Sequence, residues 1–170
     1  MPRRRRYQRS AADLNVDRAA VGAVLTTATG LGSAQMAKLA RDLHRMGPAG
    51  RRALRKRMAE VSGPLLADAR DRASWSTRIP DAISVRPVLR DNLIGVQLRV
   101  DAKRAPHARP FEGLVRPRSF KHPLFGDRDA DWITQTTRPF AAPAIDAKAR
   151  DTKAAVLAAY EDAAREAGFR

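Results

Sequence analysis

Three histidines are the first residues to test for catalytic or metal-binding chemistry in this 170-residue sequence. An imidazole acts as a general base or a metal ligand when a second reactive side chain stands at a suitable spacing. His44 lies in the middle of a predicted helix, and His107 and His122 each stand beside a proline. No H-E-x-x-H, paired-histidine or G-x-S-x-G spacing occurs. The favoured interpretation of each histidine is therefore an ordinary structural position.

Two other spacings resemble ligand sites without completing them. Asp127, Asp129 and Asp131 alternate like the start of a calcium loop, but the later glycine and the distal glutamate are missing. The Gly-Leu-Gly at residues 30–32 lacks the ending of a phosphate-binding loop. The sequence has no cysteine, which removes thiolate ligands and nucleophiles and fits assembly in a reducing interior. We predict no catalytic residue, no metal and no cofactor, and hence no enzyme.

The net charge of +15 is concentrated towards the amino terminus. A basic arm at residues 1–10, expected to be disordered, carries five arginines: Arg3, Arg4, Arg5, Arg6 and Arg9. Such an arm can neutralise DNA phosphates, but an acidic protein surface or a solubilising role fits it as well. A second basic cluster, Arg51 to Arg57, has the same ambiguity, and a solvated helix face is its favoured interpretation.

Helical periodicity dominates the first half of the chain. A modest first helix, ending at the glycines of residues 30–32, is indicated by Leu14, Val16, Val21, Val24 and Leu25. A stronger amphipathic pattern runs from Met36 to Met46, with Ser33 as its N-cap and Gly47-Pro48 as its end. Another runs from Leu54 to Ala69, and Ser62-Gly63-Pro64 should kink or split it.

The period changes to two after Trp75. Apolar residues then alternate with polar ones in the segments 83–86 and 96–101, separated by Arg90-Asp91-Asn92. This pattern predicts an antiparallel hairpin with one buried and one polar face. A final helix is predicted from Asp146, its N-cap, to Ala167. The order predicts an α+β fold: helices, a hairpin or small sheet, a long loop and a terminal helix packed on the sheet, in a single domain at residues 11–170.

The segment from His107 to Pro143 is rich in proline and phenylalanine but has neither helical nor strand periodicity. A solvated linker contains few aromatic residues, so this composition predicts an ordered loop that docks onto something. A short strand at Trp132 to Thr134 is the one regular element expected within it. No uninterrupted apolar segment approaches the ~20 residues that span a bilayer, so no membrane partner is expected.

The chain resembles the tail-completion or neck family of long-tailed bacteriophages over roughly Leu39 to Ala167. The resemblance rests on helices ending in ARDRASWSTRIPDAI, on the hairpin ISVRP and IGVQLRV, and above all on the loop. That loop contains His122-Pro123-Leu124-Phe125-Gly126, then Trp132, then a Pro-Phe-Ala-Ala-Pro-Ala run at residues 139–144 that opens the terminal helix. The segment at residues 105–113 and the basic arm differ from the family pattern.

The resemblance implies a structural virion protein without catalytic residues. It implies a homo-oligomeric ring, sixfold, at the head-to-tail junction between the head-closure (stopper) protein and the tail terminator, assembled in the bacterial cytoplasm. Double-stranded DNA would pass through its lumen without sequence specificity. Candidate contacts between subunits are Phe120, His122, Pro123, Leu124 and Phe125. The expected structural core of the loop and terminal helix comprises Trp132, Pro139, Phe140 and Pro143.

A second hypothesis comes from a different class of protein. A small basic nucleic-acid-binding protein would use Arg3 to Arg9 and Arg51 to Arg57, and its affinity would fall steeply with salt. Charge alone gives the sign of a partner and not its identity. Both hypotheses therefore stay open on the sequence.

Overall fold

The computed structural model of the chain describes residues 21–25, 38, 41–90, 93–113, 118–123, 129 and 131–169. Its elements follow in the order β1 (Val21–Leu25), α1 (residues 41–45), α2 (Gly47–Val61), α3 (Gly63–Arg72), α4 (Ile79–Ala82), β2 (Ile83–Arg90), β3 (Leu93–Val100), α5 (Ala108–Phe111), β4 (Ser119–Pro123), β5 (Trp132–Thr136) and α6 (Ala141–Glu166). The predicted α+β class is confirmed. The predicted basic arm at residues 1–10 and the predicted N-cap Ser33 lie outside the described residues.

The predicted hairpin is the centre of a three-stranded antiparallel sheet in the order β1-β3-β2. Its register pairs Ile83 with Val100 and Arg90 with Leu93. Directly opposite residues share a face, so the apolar residues of both strands fall on one side of the sheet. On that side Ile94, Val96 and Leu98 are buried.

The first helix predicted around Val21 and Leu25 is wrong. Val21–Leu25 forms β1, which pairs antiparallel with the free edge of β3, with Val21 opposite Val100 and Leu25 opposite Val96. The apolar residues of VGAVL alternate in the strand period, but three of them also recur at three- and four-residue intervals. Pairing with the central strand satisfies a row of backbone groups that a short isolated helix would not match.

The helical region breaks where the sequence predicted. α2 ends at Val61 and α3 begins at Gly63, with Pro64 in the first turn of α3. Proline is tolerated there because the amide hydrogens of a first turn have no helical partner. The hydroxyl of the fully buried Ser62 donates to the carbonyl of Met58 at 2.6 Å, so the break leaves no polar group of Ser62 unsatisfied.

The terminal helix begins earlier than predicted. α6 starts at Ala141, so Asp146 lies inside the helix and is not its N-cap. Pro143 fits the first turn, which removes the reason to start the helix after it. α6 packs against α2, α3 and the sheet strands β1 and β3. The core lies between these elements, and its largest fully buried side chains include Phe140, Leu54, Met58, Leu65 and Ile79.

The proline- and aromatic-rich segment is more regular than predicted. It contains the short helix α5 and a second antiparallel hairpin, β4–β5, in which Ser119 pairs with Thr136 and Pro123 with Trp132. The predicted strand at Trp132 is confirmed and extends to Thr136. β4 has little period-two apolar alternation, since Lys121, His122 and Pro123 follow Phe120, which is why the pattern did not reveal it.

Candidate functional site

The base of the β4–β5 hairpin is held by a stack of aromatic rings. Phe111 lies edge-on to Phe120 with ring centroids 5.1 Å apart, and on its other side contacts Trp75 at 4.6 Å. Phe120 is 9% exposed and belongs to the main core. Phe120 was predicted to contact a neighbouring subunit. That prediction is wrong, because the ring is buried against Phe111 of its own chain.

Polar contacts close the base of the hairpin around this stack. The amide of Arg138 donates to the carbonyl of Phe111 at 2.8 Å, and the amide of Thr137 donates to the carbonyl of Arg118 at 3.1 Å. The guanidinium of Arg138 lies 5.6 Å from the centre of the Trp75 ring, within cation–π range. The segment before β4 is therefore hydrogen-bonded to the segment after β5, and both segments contact Trp75, which follows α3.

His122 is engaged within the hairpin. Its Nδ1 lies 3.1 Å from the carbonyl oxygen of Pro123, and its Nε2 lies 2.9 Å from Oε1 of Gln135. The ring also stands 5.9 Å from that of Phe120. Both ring nitrogens have partners in β4 and β5, which matches the interpretation of a structural histidine. His122 and Pro123 are half-buried, and the other two predicted contact residues, Leu124 and Phe125, lie outside the described residues.

Glu112 caps the start of α6 from a distant part of the chain. Its carboxylate accepts hydrogen bonds from the amides of Phe140 (2.9 Å), Ala141 (3.0 Å) and Ala142 (2.7 Å). These are amides that a helix cannot satisfy internally, and a negative charge there also complements the helix dipole. Sequence reasoning missed this residue. A capping box is visible only when the acid lies three residues into the same helix, and here it precedes the helix by about one hairpin.

The far end of the hairpin exposes apolar side chains. Trp132 is 53% exposed and Ile133 is 41% exposed, and these are the exposed large hydrophobic residues of the described chain. Trp132 was predicted to be core, which is wrong: it stands at the first position of β5, opposite Pro123 and remote from the aromatic base. Two exposed carboxylates, Asp129 and Asp131, precede it. We call Asp129, Asp131, Trp132 and Ile133 the hairpin tip.

The other three predicted core residues of the loop and terminal helix differ in how deeply they are buried. Phe140 is completely buried, as predicted. Pro143 is half-buried in the first turn of α6. Pro139 is exposed, so its prediction as core is wrong. The bulky ring of Phe140 fills the space under the start of α6, and the smaller Pro139 before it faces solvent.

Basic residues form two exposed surfaces in the described chain. On α2, Arg52, Arg55 and Lys56 are exposed, which confirms the predicted solvated helix face. Arg57 of the same helix instead pairs with Glu166 through two oxygens at 2.7 and 2.9 Å, and this hydrogen-bonded pair raises the pKa of the guanidinium.

The second basic surface lies on the outer face of the three-stranded sheet, away from the helices. It carries Arg86, Arg90 and Arg99. The period-two pattern placed Arg86 and Arg99 on the predicted polar face, whereas Arg90 was assigned to the segment between the strands and in the structure ends β2. We call Arg86, Arg90, Arg99 and the residues between them on this side, Ser84, Val88 and Gln97, the arginine face.

A buried carboxylate joins α1 to α6. The side chain of Asp42 accepts hydrogen bonds from Lys38 Nζ and from the Tyr160 hydroxyl, both at 2.7 Å. Burial acts to raise the pKa of Asp42, but the two hydrogen bonds and the charges of Lys38 and Arg45 outweigh it, so this pKa lies below its ordinary value. Burial and the neighbouring carboxylate raise the pKa of Tyr160. The three side chains satisfy one another through these hydrogen bonds, which is typical of a structural contact.

Three comparisons bear on the identity of the chain. No protein-family model matches it, no curated protein matches it, and no solved structure matches it. Within the described part of the chain, no group of three or more His, Cys, Asp or Glu side chains is placed to hold a metal ion. Nor does any helix there combine the length and apolarity that crossing a membrane requires.

Proposed function

We propose that this chain is a structural subunit of the neck of a long-tailed bacteriophage. In this proposal six copies form a ring at the head-to-tail junction of the virion, between the head-closure protein and the tail terminator. DNA passes through the lumen without sequence-specific contacts. Assembly takes place in the bacterial cytoplasm, and the subunit contributes contacts, not catalysis.

The observation that carries the proposal is the exposure of Trp132 and Ile133 at the hairpin tip. Aromatic residues dominate the energetics of protein interfaces, and an exposed tryptophan beside an exposed isoleucine is a liability for a chain that stays alone. The same hairpin is held rigidly at its base by Phe111 and Phe120. A stiff arm with an apolar end is the arrangement that a ring subunit needs to reach its neighbour.

A closed ring also needs two different contact surfaces on each subunit. Head-to-tail contacts are heterologous, so the surface that reaches out must differ from the surface that receives it. The hairpin tip lies on a projecting element, whereas the sheet and α2 offer broad basic surfaces elsewhere on the chain. This asymmetry supports a ring over a symmetric dimer.

Imaging of particles that contain this chain tests the proposal. We expect symmetric density for it at the head-to-tail junction. We also expect a Trp132→Ala/Ile133→Ala variant to remain folded but to be incorporated far less than wild type, because the loss of a central aromatic anchor weakens an interface about 30-fold or more. Thr134→Ala is the matched control, since Thr134 is exposed on the same strand. A chain that never enters particles would contradict the proposal.

A basic nucleic-acid-binding protein is the second candidate, supported by the exposure of Arg52, Arg55 and Lys56 on one helix. It predicts that the free protein binds duplex DNA with an affinity that falls with salt, by a logarithmic slope of about 0.9 for each phosphate contacted. Deletion of residues 1–9 and the triple alanine variant of α2 should each reduce that slope. Binding with no salt dependence would exclude this candidate.

A further inference from the structure

The arginine face brings three arginines together on one side of a sheet, which is unusual if the sheet serves only to cover a core. Arg99 of the central strand stands diagonally across from Arg86 of β2, which places their Cβ atoms about 7–8 Å apart. Arg90 follows four residues along the same strand, about 13 Å away. No Asp or Glu occurs among the described residues of β2 and β3, and Asp91 alone lies between the strands in sequence. The arginines therefore repel one another within the subunit.

The centre of this face is partly apolar. Gly95, opposite Val88, is buried, so the accessible part of the centre is formed by its neighbours. Val88 is half-buried, and Gln97 and Ser84 complete the floor between the arginines. A flat aromatic ring could lie on this floor with guanidinium groups beside it, an arrangement that favours tryptophan and arginine.

The hairpin tip has the complementary chemistry. It presents an exposed indole and an exposed isoleucine, and the two carboxylates of Asp129 and Asp131 precede them in a chain whose net charge is +15. Because both surfaces belong to the same chain but lie on different elements, one copy can offer its tip while another offers its arginine face.

We propose that the hairpin tip of one copy docks onto the arginine face of the next copy. The indole of Trp132 lies on the floor around Val88 and Gln97, and Asp129 and Asp131 pair with Arg86, Arg90 or Arg99. The contact is heterologous, so repeating it generates a ring or an open chain of subunits. This inference rests on the proposed function in one respect, that copies of the chain associate with one another.

Two observations favour the arginine face over the basic surface of α2 as the receiving surface. Glu60 follows Lys56 on the exposed side of α2, and Arg57 is already paired with Glu166, so the charge there is partly offset. For the tip, the arginine face of a second copy is a better partner than DNA, because the carboxylates of the tip would repel phosphates.

Charge reversal at each surface tests the proposal. We expect the tip variant Asp129→Lys/Asp131→Lys and the face variant Arg86→Glu/Arg90→Glu each to weaken self-association about 30-fold or more. Mixing the two variants should restore it, because each reversed tip then meets a reversed face and each original tip meets an original face. Arg52→Glu/Arg55→Glu on α2 makes the same change of charge and should associate as wild type does. Circular dichroism confirms that each variant is folded.

A disulfide cross-link gives a direct readout even if association in solution is weak. The chain contains no cysteine, so Thr134→Cys on β5 beside the tip and Gln97→Cys on the arginine face introduce the only thiols. Under mild oxidation we expect a linked heterodimer from a mixture of the two variants, because each chain carries one thiol. A chain that carries both substitutions should form a ladder of linked subunits, in concentrated solution or in particles. The single variants alone should form at most the symmetric dimer.

Three results would overturn the inference. One is the absence of the Thr134–Gln97 cross-link in samples where rings or particles form. Another is wild-type association by both charge-reversed variants. The third is a face variant that loses duplex DNA binding but keeps self-association, which would assign the arginine face to nucleic acid. In all three cases rings can still be present at the neck, so the proposed function is judged separately by the density at the junction.

Discussion

The helix-and-sheet core buries its large apolar side chains, whereas the β4–β5 hairpin exposes two of them. In the core, Phe140, Leu54 and Met58 are completely buried between α2, α3, α6 and the sheet. Of the described hairpin residues Phe120 belongs to that core, while Trp132 and Ile133 face solvent. The two regions meet at the stack of Trp75 and Phe111 and at the carboxylate of Glu112.

The difference separates what stabilises the fold from what the fold displays. Burial of apolar surface contributes most of the free energy of folding, and it is concentrated in the core. The hairpin adds little burial beyond its base, and it displays Trp132 and Ile133 to solvent. A large aromatic residue is thus expected to matter for stability in one region and for association in the other.

The largest expected effect compares two aromatic truncations. Phe140→Ala should lower the free energy of unfolding by about 3–5 kcal/mol, because it leaves a cavity under the start of α6. Trp132→Ala should cost less, about 1–2 kcal/mol, since about half of that residue already faces solvent. Urea unfolding of both variants measures the contrast. Similar losses from the two would break the comparison.

Truncation at the joint should loosen the hairpin more than the core. Phe120→Ala removes the ring that contacts Phe111, and we expect a loss of about 2–3 kcal/mol that appears mainly as faster hydrogen exchange in β4 and β5. Amides of α2 and α3 should keep their protection. The control is Ile133→Ala on the same hairpin, which should leave exchange at the base unchanged. Uniform loss of protection across the chain would mean that the hairpin and the core unfold as one unit.

The helix cap should have an intermediate effect. Glu112→Gln keeps the shape of the side chain but removes the charge that attracts three amides of α6, which should cost about 1–2 kcal/mol. Glu60→Gln, an exposed change of the same kind on α2, should cost less than about 0.5 kcal/mol. Thermal unfolding at neutral pH distinguishes the two. Equal transitions would show that the cap contributes nothing to the junction of the two regions.

The smallest expected effect is a dependence of core stability on pH. The pKa of Asp42 is depressed in the folded chain below its ordinary value of 3.8, so its stabilising contribution is present above that value. It should be lost as the pH falls below about 5 and on through the lower pKa of the folded chain. Asp42→Asn should remove this part of the acid dependence, and Tyr160→Phe should cost about 1 kcal/mol for one hydrogen bond. Unfolding midpoints measured across this range check both.

Acid dependence that persists unchanged in Asp42→Asn would assign the effect to other carboxylates. The trio links α1 to α6 and has no contact with the hairpin among its hydrogen bonds. The hairpin should therefore keep its exchange behaviour in both variants. A change there would show that the two regions are coupled through α6.

Local patterns predicted the core well because its signals are local. The helical period of Leu54 to Ala69, the break at Ser62-Gly63-Pro64 and the alternation in β2 and β3 each lie within one element, and each was confirmed. β1 was missed because a strand of five residues gains its stability from pairing with β3, some 75 residues later, and not from its own pattern. The start of α6 was placed too late for a related reason, since its cap is Glu112, about 30 positions earlier in the chain.

The candidate site was harder to predict because its geometry depends on distant pairing. The sequence located the aromatic segment, but it assigned Phe120 to the surface and Trp132 to the core, the reverse of the structure. Only the β4–β5 register decides which ring points to the aromatic base and which stands at the far end. The hydrogen bonds that Glu112 accepts from amides about 30 positions later in the chain leave no local signature.

Glu112 and Arg138 have a further consequence for how the chain can vary. The carboxylate of Glu112 and the carbonyl of Phe111 hold the chain where it leaves for the hairpin, and the amides of Arg138 and Phe140 hold it where it returns. With both ends tied at one place, a longer excursion costs little, since doubling a flexible loop adds only about 0.6 kcal/mol. The length and the end residues of the hairpin can therefore change at a small cost in folding free energy, while the core keeps its sequence.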